Sequence, residues 1–140
     1  MFEFTVYTEK IMGKARPRFA NGRVYTPATT QSYEKMIARR YRECNGPHFG
    51  ETYLKMEVIA CFPIPKSASK ANRELMLQGK IRPGKPDGDN LIKAIADSLN
   101  QISYDDDKQI STMIITKKYS EDPRLIIRLS EDIDFDSEAV

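Results

Sequence analysis

Residues 85–109 read KPDGDNLIKAIADSLNQISYDDDKQ, and more of the fold can be read from this stretch than from any other. Ile92, Ile95, Ala96 and Leu99 recur at i, i+3, i+4 and i+7, the spacing that lines one face of an α-helix with apolar groups. That stripe must face a core. With Ile92 at zero and about 100° per residue, Asp89, Lys93 and Asp97 fall near 60°, 100° and 140°. They share one face, at the border of the apolar stripe. Two carboxylates about 5 Å apart repel by roughly 3 kcal/mol at an effective dielectric near 20 unless a cation lies between them. Two readings fit Asp87 and Asp89 taken alone: a Pro-Asp-Gly turn whose Asp caps the helix, where the macrodipole favours negative charge, or ligands for a divalent ion. The run Asp105-Asp106-Asp107 just after the helix shifts the balance toward the ion. Drawn near Asp87 and Asp89 without a cation it would be costly, whereas a solvated polar turn is its plain alternative. Calcium-loop spacing is absent, because DGDNLI lacks a glycine at the sixth position and no Glu closes the loop.

Working outward, 140 residues make one domain, with enough chain to bury a core without disulfides. Cys44 and Cys61 form no CxxC pair and stand apart from the single His48, which argues for reduced thiols and against zinc or a histidine mechanism. No apolar run approaches the roughly 20 residues of a membrane span, and MFEFTVYTEK lacks the features of a secretory signal, so a cytoplasmic location is expected. A net charge of +2 conceals an asymmetry: residues 1–85 carry 16 Lys and Arg against 7 Asp and Glu, and residues 86–140 carry 6 against 13. A basic half suits a polyanion and an acidic half suits a metal, although uneven solvated charge would give the same count.

Phe2, Phe4 and Val6 alternate with polar residues as a first strand. In GKARPRFANGRVYTP, residues 13–27, Asn21-Gly22 has tight-turn chemistry and predicts an exposed basic hairpin. Residues 32–42 follow as a helix with a basic outer face, Thr29 and Thr30 serving as caps. Residues 52–62 suit a central strand buried on both faces and ended by Pro63 and Pro65. Ser69 can cap a helix within residues 67–78, and residues 79–88 form a basic loop. Residues 113–115 and 125–129 read as two strands joined by Ser120-Glu121-Asp122-Pro123 into an antiparallel hairpin. The expected fold is α+β, a mixed sheet with helices mainly on one face, over residues 1–130, followed by an acidic frayed tail at 131–140.

The long motif KPDGDNLIKAIADSLNQISYDDDKQI resembles the signature of the RusA-type Holliday junction resolvases, particularly phage and prophage members: Lys-Pro-Asp-x-Asp-Asn-Leu, Lys three residues after the Asn, Asp four further on, then Asp-Asp-x-Gln. GKARPR at 13–18 and VYTP at 24–27 extend the likeness over most of the chain. The resemblance implies an endodeoxyribonuclease whose essential carboxylates are Asp87, Asp89 and Asp107, with Asp106 as the first of the Asp pair and Lys93 as the functional lysine. It implies a homodimer acting on branched DNA in recombination or repair. Gly88 and the additional Asp105 depart from the pattern, and Asp105 leaves open which neighbouring oxygen reaches the metal.

The expected chemistry is hydrolysis aided by Mg2+, with Mn2+ as a substitute, held by Asp87, Asp89 and Asp107 and in one variant also by Asp106. Lys93 neutralises charge on the phosphate or orients water, or else pairs with Asp89 or Asp97, and Asp97 serves to position Lys93. Lys14, Arg16, Arg18, Arg82 and Lys85 are the expected phosphate contacts, each with solvated loop charge as its alternative. The competing functions are a non-catalytic junction-binding protein and a nuclease preferring flaps or forks.

Overall fold

The computed structural model describes residues 1–16, 18–25 and 27–133, the side chains of Arg18 and Tyr25 excepted. Pro17, Thr26 and 134–140 lie outside the described residues, and with them most of the expected tail. A four-stranded sheet in the order β1-β6-β4-β5 forms the frame, built from β1 (Phe2–Tyr7), β4 (Leu54–Pro63), β5 (Ile110–Ser120) and β6 (Arg124–Glu131). A separate two-stranded sheet pairs β2 (Arg18–Ala20) with β3 (Arg23–Tyr25). The helices are α1 (Ala28–Glu43), α2 (Lys70–Leu77) and α3 (Gly88–Leu99). This is an α+β fold with a mixed sheet, as the sequence leads one to expect.

The period-2 pattern of the strands decides which face the helices cover. Phe4 and Val6 of β1, Leu54, Met56, Val58 and Ala60 of β4, and Leu125, Ile127 and Leu129 of β6 are buried against Tyr33, Ile37 and Tyr41 of α1 and Leu91, Ile92, Ile95 and Leu99 of α3. The opposite face is polar: Arg128 bonds Glu3 at 2.6 Å and Glu57 at 3.2 Å across three strands. Residues 52–62 are therefore not a strand covered on both faces. Burial alternates along β4 until Cys61 and Phe62, where both neighbours in sequence are buried.

β5 and β6 do not form a hairpin with each other. β5 runs parallel to β4 on one side and β6 antiparallel to β4 on the other, so the short link after Ser120 passes across the end of β4. The physical reason is the greater apolar content of β4, which takes the interior position and leaves β5 at an edge with Met113 and Ile114 exposed. The first helix begins four residues earlier than expected, with Pro27 at its N-cap, and Thr29 and Thr30 lie inside it. Ser69 does cap α2, its hydroxyl accepting from the Asn72 N–H at 3.1 Å. The Asn-Gly hairpin is present, with Asn21 and Gly22 both left-handed at φ 52° and 72°. At the other end Glu131 belongs to β6, and the Asp132 carboxylate accepts from Ser111 at 2.7 Å and Thr112 at 2.5 Å.

Candidate active site

α3 carries the acidic strip. Its apolar stripe is buried as predicted, and this turns Asp89 and Lys93 to solvent and leaves Asp97 half-buried. Asp87 occupies the N-cap position, yet its side chain makes no capping hydrogen bond. Asp87 is thus an N-cap in position without the side-chain capping bond, and its carboxylate is left exposed beside Lys85, Pro86 and Asn90. The helix start sits close to its surroundings on two sides. A Cβ at Gly88 would lie 3.2 Å from Ile115 on β5, and one at Gly13 would lie 2.7 Å from Asn90. The Lys14 N–H donates to the Asn90 carbonyl at 3.0 Å, so the basic segment of the GKARPR motif docks on the first turn of α3.

The second acidic cluster is returned to the same helix by a set of fixed contacts. Tyr104 is fully buried, and its hydroxyl donates to the Ala96 carbonyl at 2.5 Å. Burial first, then the charges of Asp107 and Asp97, drive its pKa well above the ordinary tyrosine value. Gln109 clamps the loop: its side-chain oxygen accepts from the N–H groups of Asp105 and Asp106 at 3.0 Å, and its amide donates to the carbonyls of Gly50 at 2.8 Å and Thr52 at 2.6 Å. Gln109 was missed as a site residue by sequence reasoning, although it is the glutamine of the Asp-Asp-x-Gln pattern.

The three aspartates then separate by role. Asp105 faces His48 at 3.4 Å. Asp106 accepts from the Lys108 N–H at 2.9 Å and caps the short 3-10 turn Asp107–Gln109. That bond, together with the hydrogen bond to Asp107, lowers its pKa. Asp107 is half-buried and shifts the other way: partial desolvation, its bond to Asp106 and the charges of Asp106 and Asp97 raise its pKa, with Lys93 opposing. Asp107 is thus the one of the three whose pKa is shifted by the charges of Lys93 and Asp97 on α3.

The structure redistributes the expected basic residues. Lys14 lies between Glu34 at 2.5 Å and Asp97 at 3.1 Å, so Asp97 holds Lys14 and not Lys93. Burial opposes the Lys14 charge, and the two carboxylates outweigh it and raise its pKa. Arg82 donates to the carbonyls of Gly79 at 3.0 Å and Lys117 at 2.9 Å. Arg16 and Lys85 are exposed, and the side chain of Arg18 lies outside the described atoms. Lys93 is exposed and forms no ion pair among the described residues. Sequence reasoning did not assign Lys35, Arg39 and Arg42, which line a groove of about 600 Å³ together with Asp97.

Among the described residues no three His, Cys, Asp or Glu side chains converge closely enough to hold an ion. The carboxylates still fit a hard divalent cation by donor chemistry, being all oxygen, with Asp107 short of counter-charge. Cys44 and Cys61 are free thiols. No helix is long and apolar enough to cross a membrane.

The family description "Endodeoxyribonuclease RusA" matches residues 9–130, and the chain belongs to that family. It is an endodeoxyribonuclease of the Holliday junction resolvase type. The chain is also 34% identical over 139 residues to the "Uncharacterized protein YqaN" of Bacillus subtilis (strain 168), covering 92% of this chain and 95% of that protein.

Proposed function

We propose that this endonuclease is Mg2+-dependent, resolves four-way DNA junctions by paired hydrolysis as a homodimer, and uses Asp87, Asp89, Asp107 and Lys93 at its active centre. The observation that supports the reading is that the Tyr104 hydroxyl ties the loop bearing Asp107 to Ala96 of α3, the helix that also carries Asp89 and Lys93. A hard divalent ion, when bound, lowers the pKa of the attacking water and takes up charge on the phosphate. Asp87, Asp89 and Asp107 are the residues that would hold it, their oxygen donors suiting a hard cation. The Asp106 carboxylate is engaged at the 3-10 turn, which favours Asp107 as the ligand of the pair.

Lys93 is one helical turn from Asp89, and its ammonium neutralises a non-bridging phosphate oxygen as charge builds in the transition state. Water adds to phosphorus, one P–O ester bond breaks, and the departing sugar oxygen takes up a proton. Arg16, Arg18, Lys85 and the exposed cations of α1 supply phosphate contacts, whereas Lys14 and Arg82 act inside the fold. A four-way junction is approximately two-fold symmetric, so two copies of one site suit paired cuts. A cytoplasmic role in recombination or repair, of prophage origin, follows from the family resemblance.

The test compares cleavage of a four-way junction, a fork, a flap and a linear duplex at one salt concentration, with Mg2+, Mn2+ or chelator. The expected result is ion-dependent, symmetric nicking of the junction. Equal cutting of linear duplex sinks the junction assignment, and faster cutting of flaps or forks establishes the competing specificity.

A further inference from the structure

The β2–β3 hairpin carries a feature that the carboxylate site does not use. Phe19 and Val24 sit directly opposite each other across the two strands and are 77% and 60% exposed. Opposed residues of an antiparallel pair project from the same face, so the two side chains make one apolar surface. Asn21 and Gly22 hold the connecting turn in its left-handed form, which sets this surface at the end of a defined hairpin. Along the sequence the flanking charge has one sign, with Lys14 alone taken up by acidic partners. Residues 10–33 contain Lys10, Lys14, Arg16, Arg18 and Arg23, and no Asp or Glu. An exposed phenylalanine on a cationic arm suits a partner that combines negative charge with flat apolar faces. Two copies of the same arm would repel each other, which disfavours self-association as its purpose.

We propose that the hairpin tip is the element that distinguishes branched from linear DNA, with Phe19 stacking on a base face exposed at the branch point and Val24 packing behind it. The proposal rests on the endonuclease reading above and adds a specificity-determining residue to it. Linear duplex offers base faces only at its ends, whereas a junction exposes them where strands exchange. Stacking on an aromatic side chain therefore rewards the branched form and tolerates any sequence. The cationic run supplies the sequence-independent attraction that both forms share.

The test uses the full chain with Phe19→Ala and Phe19→Trp, and four-way junctions carrying 2-aminopurine at the branch point, in chelator so that no cleavage occurs. Wild type and Phe19→Trp should alter the 2-aminopurine fluorescence on binding, and Phe19→Ala should not. Phe19→Ala should lower the preference for junction over linear duplex about tenfold, with duplex affinity changed less than twofold. Wild-type fluorescence and preference in Phe19→Ala would overturn the proposal. So would a change of sedimentation coefficient in Phe19→Ala with the fluorescence response intact, because the patch would then join two copies of the chain. Binding read without cleavage keeps this outcome separate from that of the carboxylate site: inactive junction cleavage in wild type defeats the catalytic reading and leaves the stacking measurement interpretable.

Discussion

The acidic face of α3 and the basic β2–β3 hairpin are two charged regions of this chain, and they are held in opposite ways. α3 buries seven residues, and the returning loop is pinned to it by Tyr104 and to the 50–52 segment by Gln109. The two strands of the hairpin pair only with each other in the described sheets, and its side chains at 19–24 are exposed. Groups that perform chemistry need fixed positions, because a displacement of 1 Å costs much of the rate. Groups that recruit a long polyanion need reach, since their attraction acts over a Debye length of about 8–10 Å.

This contrast can be broken first at its rigid end. Asp89→Asn and Asp107→Asn should each lower metal-dependent junction cleavage by on the order of 10³-fold while junction binding is kept. Equal losses in binding would place these residues in the recruiting region. Gln109→Ala comes next: it strands the N–H groups of Asp105 and Asp106 and the carbonyls of Gly50 and Thr52, and should cost about 2–4 kcal/mol in urea unfolding. Unchanged stability would show that the loop is held by other contacts.

Lys14→Met should cost less, about 1–2 kcal/mol, since its side chain and its two partners are each about one-fifth exposed and screening reduces the loss. The raised pKa gives the sign of the pH effect. The ion pairs contribute fully below the ordinary lysine value of 10.5 and are lost as pH climbs through the higher folded value. Wild type should therefore lose stability faster than Lys14→Met above about pH 10.5, and parallel curves would contradict the assignment. The smallest effect belongs to the hairpin. Gly22→Ala strains a residue at φ 72° by about 1 kcal/mol, which should speed amide exchange in β2 and β3 and leave global unfolding unchanged. A matching drop in global stability would mean that the hairpin folds as one unit with the core.

Much of α3 was legible in the sequence because its 3.6-residue period is long and uninterrupted, and Asn21-Gly22 has few conformations open to it. The pairing of β5 and β6 was not. Two apolar runs and a Pro-containing turn are consistent with a hairpin, and only the competition among strands for the interior place puts β4 between them. Site residues show the same divide. Asp87, Asp89 and Lys93 stood out by spacing and Asp107 only through the family resemblance, but a charge in the sequence does not reveal whether it meets solvent or a partner. Lys14 and Arg82 looked like phosphate contacts and turned out to bond within the fold, whereas Lys35, Arg39 and Arg42 are exposed around a groove they share with Asp97.

With the proposed roles of Asp89, Asp107 and Phe19, the bond between the Lys14 N–H and the Asn90 carbonyl would make the two regions a measuring device. Its zero mark is the first turn of α3, and its far mark is Phe19, five residues along the chain. At no more than about 3.6 Å per residue, the span is at most roughly 18 Å, or some five nucleotides at 3.4 Å each. If the far mark rests on the branch point, the phosphate cut by this enzyme lies within a few nucleotides of it. Inserting residues after Lys14 should move the cut outward, and mapping the nick to the nucleotide would read the scale directly.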